Sequence, residues 1–502
     1  MGKKPSQQSS QSNRATMIRA ARDALRQNQF AQSVRILEPL LAASSPDAEA
    51  LYIAGLVAER QLRPDAAIAL ARRSIAAMSH PDSLRLLASN LRKVGELDEA
   101  IRVCDLLLEA KPDSKEALAI KGDALQESGE LDAAEAALDR LDAIFRAEGQ
   151  EPHPSVIETR ARLRIQQGRH DEAVALCDSI LERASNAPSL VRLAFFTKAK
   201  ACDRAGRYQE ALEAASQANQ IGNAAFDPAE FEQSITNVID QWSKARLDRF
   251  PRSECHSKVP VFIAGMPRSG TSLLDQIIDA HPHAAGVGEL QTILRFAGEM
   301  GREYDPTSDP PDCFGQFSQD SRWTSAAEGY LHQLEKLAPD AERVVNKALG
   351  NDFVVGVFAR LFPQTRIIHL RRDPRDVAIS CFMGAFNTAV FPWTTRIDWT
   401  IKAWEQSERL MAHWKDTLDV PILELRYEDL VSEPKTQIPE LLDFLGLDPS
   451  SECFEFYKRK RPIRTLSHDQ VSKPMYTTSV GRSRHYEAQL ASFEFPRYED
   501  GA

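Results

Sequence analysis

The sequence predicts a multidomain chain: an N-terminal all-α superhelix of stacked helix pairs, then an α/β domain with a central parallel sheet and a P-loop-like turn. Three observations predict it. Up to about residue 245 small residues and glycines recur, 34 residues apart in the clearest pair of copies, and beyond Val259 short apolar runs alternate with helical stretches. The third is the segment "GMPRSGTS", residues 265 to 272, which joins one such run to one such helix. At 502 residues the chain is longer than an ordinary single domain, and two or three domains are the expectation from length alone.

Residues 1–13 are expected to be a disordered N-terminus, and the repeats to run over 14–245. In "ASNLRKVGELDEAIRVCDLLLEAKPDS" and "GDALQESGELDAAEAALDRLDAIFRAEG", Gly95 aligns with Gly129, Ala100 with Ala134 and Ala88 with Gly122. Small residues where two helices cross, with a Gly ahead of the second helix, are the tetratricopeptide signature. Weaker copies carry Gly55 and Ala67, Gly168 and Ala173, and Gly206 and Ala211, and a divergent copy, "ARDALRQNQFAQSVRILEPLL", begins the array. The count is about six helix pairs. No pair buries its apolar face alone, so neighbours stack into a superhelix with a groove suited to a protein or peptide. Two other uses stay open: propping up the second domain, and self-association into a homodimer. The helix "DPAEFEQSITNVIDQWSKAR" reads as the cap of the array, and 246–258 as a linker.

Composition limits the function classes. With 43% hydrophobic and 27% charged residues the chain reads as globular. A net charge of -10 argues against a nucleic-acid partner. The N-terminus lacks the apolar core of a signal peptide, and no run approaches the roughly 20 residues of a membrane span. Seven cysteines form no CxxC pair and no metal-ligand spacing. Idle thiols in a reducing, cytoplasmic compartment and no bound metal are the expectation.

The second domain is expected over 259–495. Apolar runs "PVFIAG", "RVVNK", "RIIHLRR" and "PILELRYEDL" alternate with helical "TSLLDQIIDA", "TIKAWEQSERLMAHW" and "QIPELLDFLGL". That alternation predicts a parallel sheet covered on both faces, with ligand at the carboxyl ends of the strands. A glycine-rich turn from strand to helix aims backbone N–H groups and the positive end of a helix dipole at an anion. Gly265 and Gly270 permit the turn, and Thr271 and Ser272 add hydroxyls. The lysine that would reach the β and γ phosphates of a triphosphate is absent, with Thr271 in its place. Arg268 is the cation available, and a guanidinium suits a forked grip on phosphate or sulfate oxygens. A single phosphate with a terminal group fits these parts better than a triphosphate with its metal.

A second basic segment, "RIIHLRRDPRDVAISCF", predicts a strand ending at Arg371 and Arg372 and a helix starting near Asp373 and Pro374. Arg372 and Ser380 stand eight residues apart, placed to face one anion from a strand end and a helix. Two anion sites on one sheet imply a nucleotide phosphorylated in two places. The other reading is an arginine run neutralised by Asp373 and Asp376.

Together "PVFIAGMPRSGTSLLDQIIDAHP", "RIIHLRRDPRDVAIS" and "RYEDL" resemble the sulfotransferase family, over roughly 258 to 490. "PRSGTSLLDQIIDAHPHAAGVGE" resembles most the tyrosyl-protein branch, and the N-terminal repeats are similar to those of bacterial members. The resemblance implies sulfuryl transfer from 3′-phosphoadenosine 5′-phosphosulfate to an acceptor hydroxyl. It implies that Arg268, Ser269, Gly270, Thr271 and Ser272 cradle the 5′-phosphosulfate, that Arg372 and Ser380 bind the 3′-phosphate, and that Tyr427 lines the nucleotide pocket. Arg482 stands where the family shows a lysine, in a late loop over the donor. Glu289, 21 residues after Arg268, matches the glutamate base; His281 and His283 are rivals, because other sulfotransferases use histidine. Lys347 and Ser467 match the lysine and serine that stabilise charge as the sulfuryl group separates, with Arg268 contributing to catalysis as well as binding.

The match has gaps. Two positions after the glutamate the animal enzymes carry an arginine that engages the acceptor, where this chain has Gln291; their flanking cysteines are replaced by Gly286 and Val345. Protein tyrosine is therefore one expected acceptor, with a glycan, lipid or small metabolite as the alternative. An inactive nucleotide-binding scaffold with a partner-binding array is a reading of another class.

Overall fold

The computed structural model describes residues 7–61, 63–183, 186–247, 250, 252–304, 307, 322–459, 475 and 479–498. Packing divides the chain into two compact units, Met1–Leu190 and Val191–Ala502.

The first unit is helical throughout its described elements: α1 (Gln7–Arg26), α2 (Phe30–Leu41), α3 (Ala48–Arg60), α4 (Pro64–Ala77), α5 (Pro81–Lys93), α6 (Leu97–Ala110), α7 (Lys115–Ser128), α8 (Leu131–Ala147), α9 (Pro154–Gln166) and α10 (His170–Arg183). Local chemistry marks the helix ends. Asp47 caps α3 by accepting from the Glu49 and Ala50 amides at 3.0 and 2.9 Å. Proline opens α4, α5 and α9, where its missing N–H costs nothing. The recurring glycine ends the first helix of a pair, as at Gly129, whose φ of 86° is left-handed. The recurring alanines Ala67, Ala100, Ala134 and Ala173 are fully buried. At Gly122 on α7 a Cβ would lie 2.8 Å from Leu138 Cδ2 on α8, so a larger residue there would require the Leu138 side chain to shift. Polar side chains link the first helices of successive pairs. Asn90 on α5 donates to Glu59 on α3 at 3.0 Å, Arg92 pairs with Glu127 on α7 at 2.6 Å, and Arg162 on α9 with Asp123 on α7 at 2.7 Å.

The second unit begins inside α11 (Pro188–Arg204) and continues through α12 (Tyr208–Gly222) and α13 (Pro228–Gln241). The sequence reads α13 as a cap of the array, but the structure gives it a different use. Trp242, at its end, is fully buried, stacked on Phe250 at 3.9 Å and edge-on to Trp414 at 5.7 Å. A large aromatic of this kind belongs to a core, and α13 helps to close the core of the α/β unit.

Five parallel strands follow: β1 (Pro260–Ala264), β2 (Ala284–Gly286), β3 (Arg343–Asn346), β4 (Arg366–Arg371) and β5 (Ile422–Arg426), in the order β2-β3-β1-β4-β5. Between and after them lie α14 (Thr271–Asp279), α15 (Thr292–Tyr304), α16 (Arg322–Leu337), α17 (Val355–Leu361), α18 (Pro374–Phe382), α19 (Ile397–Thr417), α20 (Tyr427–Ser432) and α21 (Pro434–Leu445). Every residue of β1 is buried, because both faces of the sheet are covered. Phe262 joins Trp242, Phe358 and Trp414 in one core, while Val261 and Ile263 join Leu274, Ile277 and Leu442 in the other. From β1 the chain moves outward to β2, returns through β3, then crosses to β4 and β5 on the other side. The carboxyl ends flanking β1 are thus the crevice where such a fold holds ligands. Strand β2 was not expected; the "AHPH" before it reads as a turn, and three residues give no periodicity.

Candidate active site

The turn after β1 is built for close approach. Gly265 has φ 148° and faces the Leu370 carbonyl of β4 so closely that a Cβ would lie 2.4 Å from its oxygen. Arg268 adopts φ 71°, a left-handed conformation that costs a non-glycine residue roughly 1–2 kcal/mol. Helix α14 starts at Thr271, directly after the turn, so the positive end of its dipole meets any anion held there. Thr271 and Ser272 are buried in its first turn. Ser269 Oγ is buried and has no hydrogen-bond partner among the described residues. Behind the turn, Cys381 directs its Sγ at the Pro267 carbonyl at 3.6 Å, and burial pushes its thiol up to about 12. It is a neutral packing group.

Arg268 and the second basic segment meet. Arg268 Nε donates to Ser380 Oγ on α18 at 2.8 Å, so the turn after β1 and the Arg372–Ser380 segment are in direct contact. Arg372 donates from Nη1 to the Arg268 carbonyl at 3.0 Å and from Nη2 to the Ser479 carbonyl at 2.5 Å, and pairs with Asp376 at 3.3 Å. Its Nε is buried without a partner among the described residues. Asp373 caps α18 by accepting from the Arg375 amide at 2.8 Å, as the sequence predicts for this helix start.

Tyr427, first residue of α20, packs between these segments. A Cβ on Gly270, whose φ is 105°, would lie 2.3 Å from the Tyr427 ring. The Arg372 guanidinium lies over the same ring at 4.3 Å from its centroid, and the hydroxyl shares a 2.5 Å hydrogen bond with Ser479. The ring is 6% exposed, so Tyr427 is a buried spacer between the Gly270 turn and Arg372. Asp376, which the sequence offered only as a neutralising charge, accepts the Gly481 and Ser483 amides at 2.9 and 2.8 Å and so ties the late segment to Arg372.

Glu289 and Lys347 form an ion pair, from the segments that follow β2 and β3. Lys347 is 3% exposed at its side chain and Glu289 33%, so the carboxylate is the accessible partner. Backbone bonds set this geometry: the Lys347 amide donates to the Gly288 carbonyl at 2.9 Å, and the Val287 amide to Val345 at 2.8 Å. Asn346 adds a side-chain brace that the sequence did not flag, donating to the Leu290 carbonyl and the Tyr330 hydroxyl, both at 2.9 Å.

The rival histidines have other work. His281 Nε2 donates to the Asp448 carbonyl at 2.8 Å while Nδ1 accepts the His283 amide at 3.1 Å, which commits both nitrogens of a buried ring to the turn. His283 is exposed and faces Glu342 at 3.7 Å. Arg482 pairs with Asp203 at 2.6 Å. Ser467 lies outside the described residues.

Buried, unpartnered Ser269 Oγ and Arg372 Nε beside a glycine turn and a helix N-terminus suit a ligand bearing anionic oxygens at two points. Fold and site thus define an α/β domain with a central parallel sheet, a glycine turn after β1 and a Glu289–Lys347 ion pair after β2 and β3. Residues 260–451 match the family model described as "Sulfotransferase family", and residues 18–81, 85–149 and 158–228 match "Tetratricopeptide repeat". The chain carries a sulfotransferase-family domain preceded by tetratricopeptide repeats.

A protein of Aquifex aeolicus described as uncharacterized is 28% identical over 414 residues, covering 79% of this chain and 52% of that protein. Protein-tyrosine sulfotransferase 1 of Danio rerio is 26% identical over 194 residues, 37% of this chain and 53% of that one. The chain spans about half the length of these curated relatives. The sulfotransferase domain of the Synechococcus PCC 7002 olefin synthase is 19% identical with a TM-score of 0.35, covering 49% of this chain and 99% of that one. Among the described residues no helix is long and apolar enough to cross a membrane.

Proposed function

We propose that the chain transfers the sulfuryl group of 3′-phosphoadenosine 5′-phosphosulfate to an acceptor hydroxyl, with protein tyrosine the first acceptor to test. The observation that carries this reading is the Glu289–Lys347 pair, contributed by the ends of β2 and β3, on the edge of the sheet where β1 ends in the phosphate turn. The donor supplies a sulfuryl group whose bond to the 5′-phosphate oxygen breaks as its bond to the acceptor oxygen forms. Residues 268–272 hold the 5′ end, and Arg372 with Ser380 holds the 3′-phosphate. Arg268, bonded to Ser380, keeps the two ends at a set separation. Glu289 takes the proton of the acceptor hydroxyl. Lys347 and Arg268 offset the negative charge that builds on the oxygens around sulfur, a contribution on the scale of about 3 kcal/mol for one preorganised donor. The repeats, by this reading, present a protein acceptor in their groove.

Gln291 favours a second acceptor class, a glycan, lipid or small metabolite, since the arginine that engages the acceptor in the animal enzymes is missing there. Purified chain with sulfur-labelled donor and paired tyrosine and phenylalanine peptides tests the reading. Label is expected on the tyrosine peptide alone, and Glu289→Gln is expected to cut turnover by about 10²–10⁴ while leaving donor binding intact. Label only in lipid or glycan fractions would move the acceptor to the second class. Full turnover by the Glu289→Gln protein would remove the mechanism.

A further inference from the structure

Arg482 and the residues around it are held by a helix of the repeat type. Asp203 lies near the end of α11, inside the stretch that matches the tetratricopeptide model. One of its carboxylate oxygens pairs with Arg482 Nη2 at 2.6 Å, and the other accepts the Tyr486 hydroxyl at 2.5 Å. Its side chain is 9% exposed, while Arg482 keeps 29%. Around this pair Tyr208 of α12 stacks on His485 at 4.7 Å and meets Tyr486 edge-on at 5.2 Å, and Gln489 donates to Gln209 at 2.9 Å. On the other side Asp376 accepts the amides of Gly481 and Ser483, the residues on either side of Arg482, and also pairs with Arg372. The short segment 481–486 is therefore pinned at its backbone by the donor-site helix α18 and at its side chains by α11 and α12.

We propose that Asp203 is a positioning residue for donor binding, acting through Arg482; this rests on the function proposed above. A long arginine side chain loses rotamer freedom when a ligand has to fix it, and a second partner that fixes it beforehand removes much of that cost. Asp203 is suited to this because Tyr486 holds the carboxylate in turn, and because it engages one edge of the guanidinium and leaves the side chain partly open. Sulfotransferase chemistry does not itself require a repeat array. Here an array-type helix completes the donor site, so the site depends on residues far upstream of the matched sulfotransferase segment.

The test is a double-mutant cycle on the full chain, with titrated 3′,5′-adenosine bisphosphate as the probe. Asp203→Ala and Arg482→Ala are each expected to raise its Kd about tenfold, and the double variant to match Arg482→Ala alone. In turnover assays Asp203→Ala is expected to raise the donor KM by a similar factor with little change in kcat. Asp203→Asn retains an acceptor for Tyr486 and removes only the charge, and a rise of roughly threefold or more is expected from it even if the alanine variant folds poorly. Wild-type affinity in Asp203→Asn and Asp203→Ala, or effects that simply add in the double variant, would overturn the inference while leaving the proposed function standing. A wild-type chain that does not bind the bisphosphate would overturn both.

Discussion

Gly270 carries more of the site than its size suggests. Its φ of 105° lets the chain turn into α14, and its missing Cβ leaves room for the Tyr427 ring. That ring in turn lies under Arg372 and bonds Ser479. In Gly270→Ala the methyl group meets the ring at a distance no contact allows, so the turn, Arg372 and Ser479 all have to shift. The expected outcome is a loss of bisphosphate affinity of at least about tenfold, or roughly 1.4 kcal/mol, measured by titration calorimetry. Unchanged affinity would show that Tyr427 does not set the spacing between the two anion-binding segments. Arg268 makes the complementary point. A non-glycine residue in left-handed conformation is tolerated where something else holds it, here the Ser380 contact and Arg372 bonded to its carbonyl. Local spacing made these residues legible in the sequence, since a phosphate turn lies within eight consecutive positions. Asp203 was not legible, because it meets Arg482 across 279 positions and no local pattern marks it. Asn346 was hidden for another reason: a buried amide that braces Leu290 and Tyr330 looks, in sequence, like the end of a strand.

At the scale of elements, strands and helices with a strong period were readable and short or reassigned ones were not. The runs at 260–264, 343–346, 366–371 and 422–426 stood out as short, mostly apolar stretches between helical ones, most clearly β1, which is buried throughout and continuously apolar. Strand β2 has three residues and, among the described residues, pairs only with β3. Helix α13 was recognisable as a helix, but its partner was not, since amphipathic spacing tells that a face is buried and not what covers it. Its core role has a measurable consequence. Trp242→Ala removes a fully buried indole stacked on Phe250 and packed against Gly356 and Trp414, and is expected to destabilise the α/β unit by about 3–5 kcal/mol. Hydrogen exchange should then rise in β1, α17 and α19, with helices α3 to α8 unaffected. Acceleration confined to α13 would assign it to a peripheral cap after all.

At the scale of the whole molecule, the chain joins a repeat array to a domain for which we propose an anionic donor, although the net charge of the whole chain is -10. By the proposed function a local cluster of Arg268, Arg372, Lys347, backbone amides and a helix N-terminus, rather than the overall charge, recognises the donor. The central claim is that this cluster grips a nucleotide phosphorylated at both its 3′ and 5′ ends, without a metal. The most direct measurement is the thermal stability of the full chain in EDTA with 3′,5′-adenosine bisphosphate, set against 5′-AMP at the same concentration. The account predicts a rise for the bisphosphate that reaches about 2.7 kcal/mol of stabilisation at a hundred times its Kd, and a far smaller rise for 5′-AMP. Equal shifts for the two nucleotides, or a response that appears only with ATP and magnesium, would contradict it.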